Sequence, residues 1–569
     1  MSKVLVTSAL PYANGRVHLG HLAGAYLPAD IYVRWRRLKG DDVVFVCGSD
    51  EHGVPITLSA LKQNTTPQAV VDEYHISNGA AFAAADIRFD IWSRTSSPEH
   101  HALAQHFFKK LLSKGFIDKR TTQQYYSEQS KLFLPDRYVE GICPRCGKDG
   151  ARGDQCDACG ETYDVTELKE PRCALPGDRS TPVLKNTDHW FLKLDAFQSR
   201  LEAYVAEHAE AGAEPWRLGT LRGAQGWLKQ GLRARCITRD TEWGVKIPLA
   251  EADAAGKRLY VWFDAPIGYV TFTQQLFARR GDPEGWRAYW QDPECAIYNF
   301  IGKDNIPFHT VIWPAMELGY NDEPDPGERP YNLAAQVVAN EFLNFGGEKG
   351  SKSKGNAVEI AEFVDLFGAD PLRYYLTSIA PEENDSNFTW TDFAQRYNGE
   401  LADVLGNFAH RTLTFTHKYF DGRVPEGRPP GEAEERLRAA TDHACKVSAE
   451  SLDRLRFKQA LAAAIDLARE GNRYFDERAP WKQRKDDLDG CGTTLRVCLK
   501  TAAALGLLLR PFLPESSARL LSCFGLDRNA VHAPGTAARN ARELVLPGQT
   551  LGKPEVLFKK VEPDQLPAH

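Results

Sequence analysis

Hydrophobic and polar positions alternate with two different periods near the start of this 569-residue chain. The run from Val4 to Leu10 predicts a strand, and a helical pattern follows from about His21 to Leu38, where Gly40 ends it. Val43–Gly48, "VVFVCG", predicts the next strand. Because near-continuous apolar strands are separated by helices, we expect a parallel sheet that is covered on both faces.

The pattern changes twice further along the chain. From about residue 115 to 230, tight cysteine pairs and many turn residues indicate an insertion. Strands and helices return with "RLYVWFDAPIGYVTF" and "AIYNFIGKDNIPFH", and the break Asn321–Pro330 precedes a strand-like "AAQVVANEF". From about residue 398 the pattern is almost entirely helical, with Phe457, Leu461, Ile465 and Ala468 at helical spacing.

Composition and charge exclude some classes of protein. The chain is 43% hydrophobic and 26% charged, and its net charge of −6 argues against a wholesale polyanion binder while leaving room for a local basic groove. Pro11 interrupts the first apolar run, so we expect no export signal. Val497–Leu513 contains Lys500 and Arg510, so we expect a buried helix and no membrane association. The expected location is cytoplasmic, with cysteines as thiols or metal ligands.

Two C-x-x-C pairs carry the strongest chemical signal. Cys143 and Cys146 form "CPRC", and Cys156 and Cys159 form "CDAC". Two such turns present four thiolates to one tetrahedral cation, which predicts one structural Zn²⁺ with a closed coordination shell. The alternative of redox dithiols lacks the strand–helix context of a thioredoxin motif. We expect the remaining cysteines to be buried thiols.

The segment His18–His21, "HLGH", places two imidazoles three residues apart at the start of the first helix. A helix N-terminus attracts anions, so these rings could hold phosphates, and Gly20 leaves room for a flat base. A hydrogen-bonded pair in the core is the alternative. A metal site lacks a third ligand nearby in the sequence.

The stretch "GGEKGSKSKGN", Gly346–Asn356, contains Lys349, Lys352 and Lys354. Taken alone it predicts a solvated linker. However, this stretch and His18–His21 each follow a strand of the same predicted sheet, and loops at the carboxyl ends of such strands share one crevice. Histidines and lysines could therefore converge on one triphosphate and stabilise the charge that develops on a leaving pyrophosphate.

Longer motifs extend from residue 7 to 481 and carry a family resemblance. They are "TSALPYANGRVHLGH", "GSDEHGVPI", the cysteine pairs, "YVWFDAPIGY", "FIGKDNIPFH" and "GNRYFDERAPW". The chain resembles the class I methionyl-tRNA synthetases, with His18–His21 as the HIGH motif and Lys349–Ser353 as the KMSKS motif. The implied fold class is α/β, with a Rossmann-like parallel-sheet catalytic domain, a zinc-knuckle insertion and an all-α helical-bundle anticodon-binding domain.

The resemblance also implies domain limits. They are 1–115 and 241–330 for the two halves of the catalytic domain, 116–240 for the insertion, 331–397 for the KMSKS loop and stem-contact region, 398–545 for the anticodon-binding domain and 546–569 for a C-terminal tail. We expect the C-terminal dimerisation module that some relatives carry to be absent, and therefore a monomer. A tRNA-binding partner in trans is an alternative.

The implied activity is that of a methionine–tRNA ligase. ATP, with Mg²⁺, activates methionine to methionyl-adenylate and pyrophosphate, and methionine then passes to the terminal adenosine of tRNA(Met). The residues implied in catalysis are His18, His21, Lys349 and Lys352. Those implied in ATP binding are His18, Gly20, His21, Lys349, Ser351, Lys352 and Ser353. Gly350 replaces the methionine of KMSKS, so we expect a more mobile loop.

The resemblance implies a methionine pocket of Ala9, Leu10, Pro11, Tyr12, Asp50, Trp262, Ala265, Pro266, Tyr269, Asn305 and His309. Asp50 would pair with the substrate ammonium, and the alternative is a cap for the following helix. Tyr12, Trp262 and Tyr269 would contact the thioether, although aromatic residues are more often core. Asn305 stands where the family is often apolar.

Asn407, Arg411 and Trp481 match the family's anticodon readers, since Trp481 offers a stacking plane and the other two can hydrogen-bond base edges. Arg233 and Arg235 could contact tRNA phosphates or lie on a solvated helix face. Two other functions stay open at this point. One is another class I aminoacyl or nucleotidyl transferase, and the other is a zinc-containing tRNA-binding protein with a decayed synthetase site.

Overall fold

The computed structural model describes the chain except for residues 1, 136–137, 154–155, 157, 160–162, 176, 179, 210–214, 251–253, 350–356, 538–539 and 568–569. Lys352, and with it Gly350, Ser351, Ser353 and Lys354, therefore lies outside the described residues. For Lys349 the structure describes the backbone alone.

Seventeen strands lie in the described part of the chain. They are β1 (Lys3–Ser8), β2 (Asp42–Ser49), β3 (Ile91–Arg94), β4 (Ile117–Ser127), β5 (Leu132–Phe133), β6 (Val139–Ile142), β7 (Ala151–Arg152), β8 (Lys169–Cys173), β9 (Val183–Leu192), β10 (Arg235–Cys236), β11 (Thr238–Asp240), β12 (Lys257–Leu259), β13 (Ala296–Gly302), β14 (Gln336–Asn340), β15 (Leu343–Phe345), β16 (Glu348–Lys349) and β17 (Ser386–Phe388).

The described α-helices surround these strands and then form the C-terminal bundle. They are α1 (Leu19–His21), α2 (Leu27–Lys39), α3 (Val54–Lys62), α4 (Pro67–Ala84), α5 (Pro98–Ser113), α6 (Gln198–Glu207), α7 (Leu218–Lys229), α8 (Val261–Asp264), α9 (Ile267–Arg279), α10 (Arg287–Trp290), α11 (Trp313–Asn321), α12 (Ile360–Phe367), α13 (Ala369–Ser378), α14 (Trp390–Arg396), α15 (Asn407–Tyr419), α16 (Glu432–Asp453), α17 (Phe457–Arg478), α18 (Pro480–Asp486), α19 (Leu488–Leu509), α20 (Pro514–Ser522), α21 (Arg528–Val531) and α22 (Ala541–Leu544).

The central sheet has five parallel strands in the order β14-β13-β1-β2-β3. Its middle strands are buried on both faces, as their near-continuous apolar sequences require. The chain runs from β1 toward β3 on one side and returns through β13 and β14 on the other. The order therefore reverses between β1 and β13, which is where open α/β sheets bind ligands.

The helix predicted after β1 is present but not uniform. Its first turn is α1, a π-helical turn covers Leu22–Tyr26, and α2 follows without a break in direction. Gly40 ends α2 with φ of 92°, a left-handed conformation that glycine adopts readily.

The insertion is built on a long antiparallel pair, β4 with β9, and a small three-stranded sheet, β7-β6-β8. Arg233 lies in a connecting segment and Arg235 in strand β10, so the suggestion of a solvated helix face is wrong. The guanidinium of Arg235 lies over the Trp227 ring instead, 4.9 Å from its centroid.

The C-terminal part is helical, as predicted. One described helix, Leu488–Leu509, is long and apolar enough to cross a membrane, but 78% of its most apolar window is buried inside the protein. It packs against α16, α17, α18 and α20 as the central helix of the bundle. The sequence-based interpretation of this region as a buried helix agrees with that packing.

The bundle holds the far end of α2. Asp453 of α16 accepts hydrogen bonds from Trp35 Nε1 at 2.7 Å and Lys39 Nζ at 2.8 Å. The backbone N–H groups of Gly535 and Ala537 donate to two carbonyls in the last turn of α2. The helix that follows the HIGH motif is therefore fixed to the helical part of the chain at its other end.

A buried arginine makes a second connection between the same parts. Arg373 of α13 is fully buried and pairs with Asp30 of α2 at 2.7 Å. Its guanidinium also donates to the carbonyls of Pro511 and Phe512, at 2.9 and 2.8 Å, in the connection between α19 and α20. One side chain thus satisfies groups from the catalytic part and the bundle.

Candidate active site

His18 and His21 cap the helix that begins after β1. His18 Nδ1 accepts from the N–H of Gly20 at 3.1 Å, and His21 Nδ1 accepts from the N–H of His18 at 3.1 Å. Since each Nδ1 is an acceptor, the proton of each neutral ring lies on Nε2, where it can be donated to a phosphate oxygen. The ring centroids are 3.8 Å apart, so the two imidazoles converge, as predicted.

The segments on both sides of Gly346–Asn356, which we call the lysine loop, lie against His18. On the entering side, the Phe345 ring stands edge-on to the His18 ring at 5.9 Å. On the leaving side, Glu359 forms a β-bridge with His18, and the carbonyl of Val358 accepts from the N–H of Leu19 at 3.0 Å. The structure therefore brings the two halves of the predicted phosphate site to one place, at the carboxyl end of β1.

Asp50 lies at the end of β2 and is 7% exposed. A β-bridge joins it to Tyr12, and its N–H donates to the carbonyl of Pro11 at 2.9 Å. The Tyr12 hydroxyl donates to the carbonyl of His52. Burial, and after it the charge of Asp264, raises the pKa of Asp50 well above its usual range. A cationic ligand would compensate this carboxylate when it ionises.

Ala9 and Leu10 continue from β1 beside these residues. The N–H of Ala9 donates to the carbonyl of Phe300 at 2.9 Å, and its carbonyl accepts from the Tyr26 hydroxyl at 2.7 Å. A methyl group built on Gly268 would lie 3.2 Å from Leu10 Cδ1, so Leu10 packs on the first turn of α9. Three separate parts of the chain thus meet here.

Trp262 lies in α8, with its ring 4.4 Å from Phe308 and 5.0 Å from Tyr260. Ala265 and Pro266 lead directly from α8 into α9. Tyr260, Trp262 and Phe308 form an aromatic wall, which suits a thioether side chain.

His309 is buried and forms a hydrogen-bonded pair with Tyr269. Its Nδ1 donates to the carbonyl of Asn305 at 3.1 Å, so Nε2 accepts from the Tyr269 hydroxyl at 2.8 Å. Burial lowers the pKa of His309 to about 4, which keeps the ring neutral. Asn305 is half-buried, and its amide lies 3.4 Å from Asp304 Oδ1.

Comparison with known proteins identifies the family. The family model "tRNA synthetases class I (M)" matches residues 4–413, and that of the "Anticodon binding domain of methionyl tRNA ligase" matches residues 424–569. The methionine–tRNA ligases of Chlorobium phaeobacteroides and Pyrococcus furiosus are 44% and 45% identical over 579 and 573 residues. Those alignments cover 100% of this chain and 80% and 76% of the two relatives. This chain belongs to the class I methionyl-tRNA synthetases.

Solved structures of methionyl-tRNA synthetases have the same fold. The crystal structure of the Mycobacterium tuberculosis enzyme bound by methionyl-adenylate matches with a TM-score of 0.80 at 25% identity, over 98% of this chain and 100% of that one. A second structure of that enzyme, in complex with methionyl-adenylate, matches with a TM-score of 0.80 at 26% identity and the same coverage. The class I catalytic domain, the cysteine-containing insertion and the helical anticodon domain predicted from the sequence are therefore confirmed.

The sequence-predicted anticodon residues of this methionyl-tRNA synthetase share one surface. Trp481 is 39% exposed, and its ring lies 6.2 Å from the Phe475 ring. Arg411 lies 4.1 Å over Phe475 and 6.0 Å from the Trp481 centroid, and it pairs with Asp476 at 2.7 Å. Asn407 is exposed one helical turn before Arg411. A flat ring and hydrogen-bonding groups thus lie side by side.

The four predicted metal ligands are also together. Their sulfur atoms all lie within 4.8 Å of one another, with Cys143 to Cys159 at 3.9 Å and Cys146 to Cys156 at 3.7 Å. Tetrahedral Zn²⁺ with bonds of about 2.3 Å places its sulfurs about 3.8 Å apart, so the residues fit this ion. Although burial raises it, hydrogen bonds from the backbone of Cys146 and Arg145 help lower the pKa of Cys143 to about 6.

Sequence reasoning missed several neighbours of the site and one cysteine property. Phe308, Tyr26 and the pair His52–Asp264 support the pocket from segments far apart in the chain, and no local spacing marks them. The expectation that all other cysteines are buried is wrong for Cys445, which is exposed, and for Cys236, which is half-buried. Both lie where apolar and polar positions alternate closely, so burial could not be inferred from their neighbours.

Proposed function

We propose that the crevice at the carboxyl ends of β1 and β2 carries out the methionine–tRNA ligase reaction of the family. In the first step the methionine carboxylate attacks the α-phosphate of ATP, which is bound with Mg²⁺, and pyrophosphate leaves. In the second step a hydroxyl of the terminal adenosine of tRNA(Met) attacks the adenylate and AMP leaves. The convergence of both ends of the lysine loop on His18 supports this assignment most directly.

His18 and His21 contact the ATP phosphates through Nε2–H, and Gly20 leaves space for the nucleotide. A side chain on Gly20 would begin 2.9 Å from the His18 ring and 3.5 Å from Leu343 O, so a larger residue would displace that imidazole. Lys352 stabilises the leaving pyrophosphate, with Lys349 as a second cation and Ser351 and Ser353 as further ATP contacts. Stabilising charge that develops only in the transition state raises the rate rather than the affinity.

Asp50 pairs with the methionine ammonium, and the aromatic wall contacts the side chain. The remaining pocket residues of the proposal are Ala9, Leu10, Pro11, Tyr12, Trp262, Ala265, Pro266, Tyr269, Asn305 and His309. Neutral His309 and the Tyr269 hydroxyl are already paired with each other, so neither needs a polar group from the substrate. That arrangement favours a side chain without a terminal hydroxyl or charge.

We assign the anticodon contacts to Asn407, Arg411 and Trp481, and a single structural Zn²⁺ to the four cysteines of the insertion. A closed thiolate shell would stabilise the local fold without taking part in the chemistry. A cytoplasmic location, a monomer and the domain limits given above are part of the same proposal.

Amino-acid-dependent ATP–pyrophosphate exchange tests the function. Methionine alone among the twenty amino acids should support rapid exchange, and the adenylate should then charge tRNA(Met). Exchange that depends on another amino acid would refute the methionine assignment. No exchange with any amino acid, together with retained tRNA binding, would indicate a binding protein with an inactive site.

A further inference from the structure

A buried hydrogen bond joins the two chain segments that carry Asp50 and Trp262 of the proposed methionine pocket. His52 lies two residues after Asp50, and Asp264 lies two residues after Trp262. His52 Nδ1 donates to Asp264 Oδ2 at 2.5 Å, and the two side chains are 1% and 0% exposed. This single contact therefore links the segment that carries the carboxylate to the helix that carries the aromatic wall.

Helix α5 supports the pair with two more histidines. His101 Nε2 lies 3.2 Å from His52 Nε2, and His100 Nε2 lies 3.9 Å from Asp264 Oδ2. His100 Nδ1 is 3.3 Å from the Thr271 hydroxyl of α9. Although burial raises it, the neighbouring His52 and His100 hold the pKa of Asp264 below its usual value. The carboxylate is thus ionised, and its Oδ2 faces the imidazoles of His52 and His100.

His52, His100 and Asp264 offer three ligand atoms within 4.8 Å of one another, which raises the question of a metal ion. Two ligands of one tetrahedral Zn²⁺, each at about 2.0–2.1 Å, lie about 3.3 Å apart. The observed 2.5 Å between His52 Nδ1 and Asp264 Oδ2 is too short for this and fits a strong hydrogen bond. We therefore interpret His52 and Asp264 as a hydrogen-bonded pair and not as two ligands of one metal ion.

Loss of this bond would affect the pocket more than the ATP site. Asp264 continues through Ala265 and Pro266 into α9, whereas His52 is followed by Gly53 and α3. The Tyr12 hydroxyl rests on the His52 carbonyl, so movement of His52 would also displace Tyr12. The two capping hydrogen bonds of His18 and His21, by contrast, join residues 18–21 to one another.

We propose that His52 and Asp264 are positioning residues for methionine: their buried hydrogen bond sets the distance between the Asp50 carboxylate and the Trp262 ring. This inference rests on the proposed function of the pocket. Neither residue needs to touch the substrate, because each acts through a neighbour in the chain.

Exchange kinetics on the 569-residue chain test the proposal. Asp264→Ala should raise the methionine KM by about tenfold or more while the ATP KM stays within about twofold, since small displacements in a pocket cost up to a hundredfold. Asp264→Asn keeps an acceptor oxygen and should recover most of the methionine affinity. A methionine KM unchanged in Asp264→Ala, or methionine and ATP KM values that rise together, would overturn the proposal.

A second pair of variants covers the case in which Asp264→Ala fails to fold. Asn carries an N–H donor close to the position of His Nδ1 and Gln close to that of Nε2, so His52→Asn should bind methionine more tightly than His52→Gln. Equal methionine KM values for the two would refute the role of the bond. Wild-type exchange with methionine separates this outcome from failure of the proposed function.

Two controls complete the design. Glu434 is a buried carboxylate that accepts from Tyr474 at 2.8 Å in the bundle, so Glu434→Ala loses a comparable bond and should leave the methionine KM unchanged. Metal content, measured on wild type and His100→Gln, should show no equivalent that depends on His100. A second metal equivalent that disappears in His100→Gln would overturn the hydrogen-bonded pair in favour of a metal site.

Discussion

Trp481 offers the sharpest separation between tRNA charging and adenylate formation. Its ring is 39% exposed beside Arg411, on a surface distant in sequence from every residue of the proposed active site. Stacking of one base on an aromatic side chain contributes about 1–3 kcal/mol. At about 1.4 kcal/mol for each factor of ten, Trp481→Ala should lower kcat/KM for tRNA by about 5- to 140-fold.

The assay is aminoacylation of tRNA(Met) at saturating methionine and ATP, run beside ATP–pyrophosphate exchange without tRNA. Exchange should be unchanged, because the ring contacts that the structure describes for Trp481, with Phe475 and Arg411, lie within the bundle. Trp481→Phe keeps a flat ring and should recover part of the loss. Leu488→Ala serves as the matched surface control, since Leu488 is 57% exposed at the start of the next helix.

Two results would refute this reasoning. If exchange falls in parallel with charging, Trp481 supports the fold rather than tRNA. If charging changes by less than about twofold, no base stacks on this ring.

Three further predictions concern the phosphate loop, the metal and the pH dependence. Lys352→Ala should slow exchange by orders of magnitude with little change in methionine KM, and unchanged exchange rates would exclude its role in the transition state. Cys156→Ser should remove the single zinc equivalent measured by atomic emission; retention of a full equivalent would contradict a four-cysteine site. Because the pKa of Asp50 is raised, its carboxyl group keeps its proton to higher pH than that of an ordinary aspartate. Methionine KM should therefore rise as pH falls through that pKa, and a flat profile would contradict the ammonium pairing.

Local pattern was sufficient for the sheet and for the ends of many helices. Apolar runs located β1 and β2, and Gly40 marked the end of α2, because burial on both faces and left-handed geometry constrain the residue types directly. The π-helical turns at Leu22–Tyr26 and Tyr397–Gly406 have no such signal, since one inserted residue in a helix barely changes its hydrophobic period.

The candidate site was predictable where motifs are contiguous and not where the fold brings distant residues together. His18–His21 and the cysteine pairs are local, so their spacing alone indicates which side chains lie together. His52 and Asp264 are 212 positions apart, and their pairing depends on how the segment of α8 and α9 packs, with α9 against β2. A histidine inside "DEHG" has no property in the sequence that indicates a buried carboxylate partner.

The contacts that fix α2 to the bundle have a consequence for chimaeras made from parts of two such synthetases. Two carbonyls in the last turn of α2 accept hydrogen bonds from Gly535 and Ala537. Arg373 pairs with Asp30 and donates a hydrogen bond to the carbonyl of Pro511. Cutting the chain between the α/β part and the bundle would remove the carbonyls of Pro511 and Phe512 from buried Arg373 and leave the last carbonyls of α2 without their partners. A chimaera that takes its helical bundle from a relative must therefore also take the residues of α2 and α13 that contact the bundle. The domain limit proposed from the sequence is not a position at which the two parts can be separated without loss of buried hydrogen bonds.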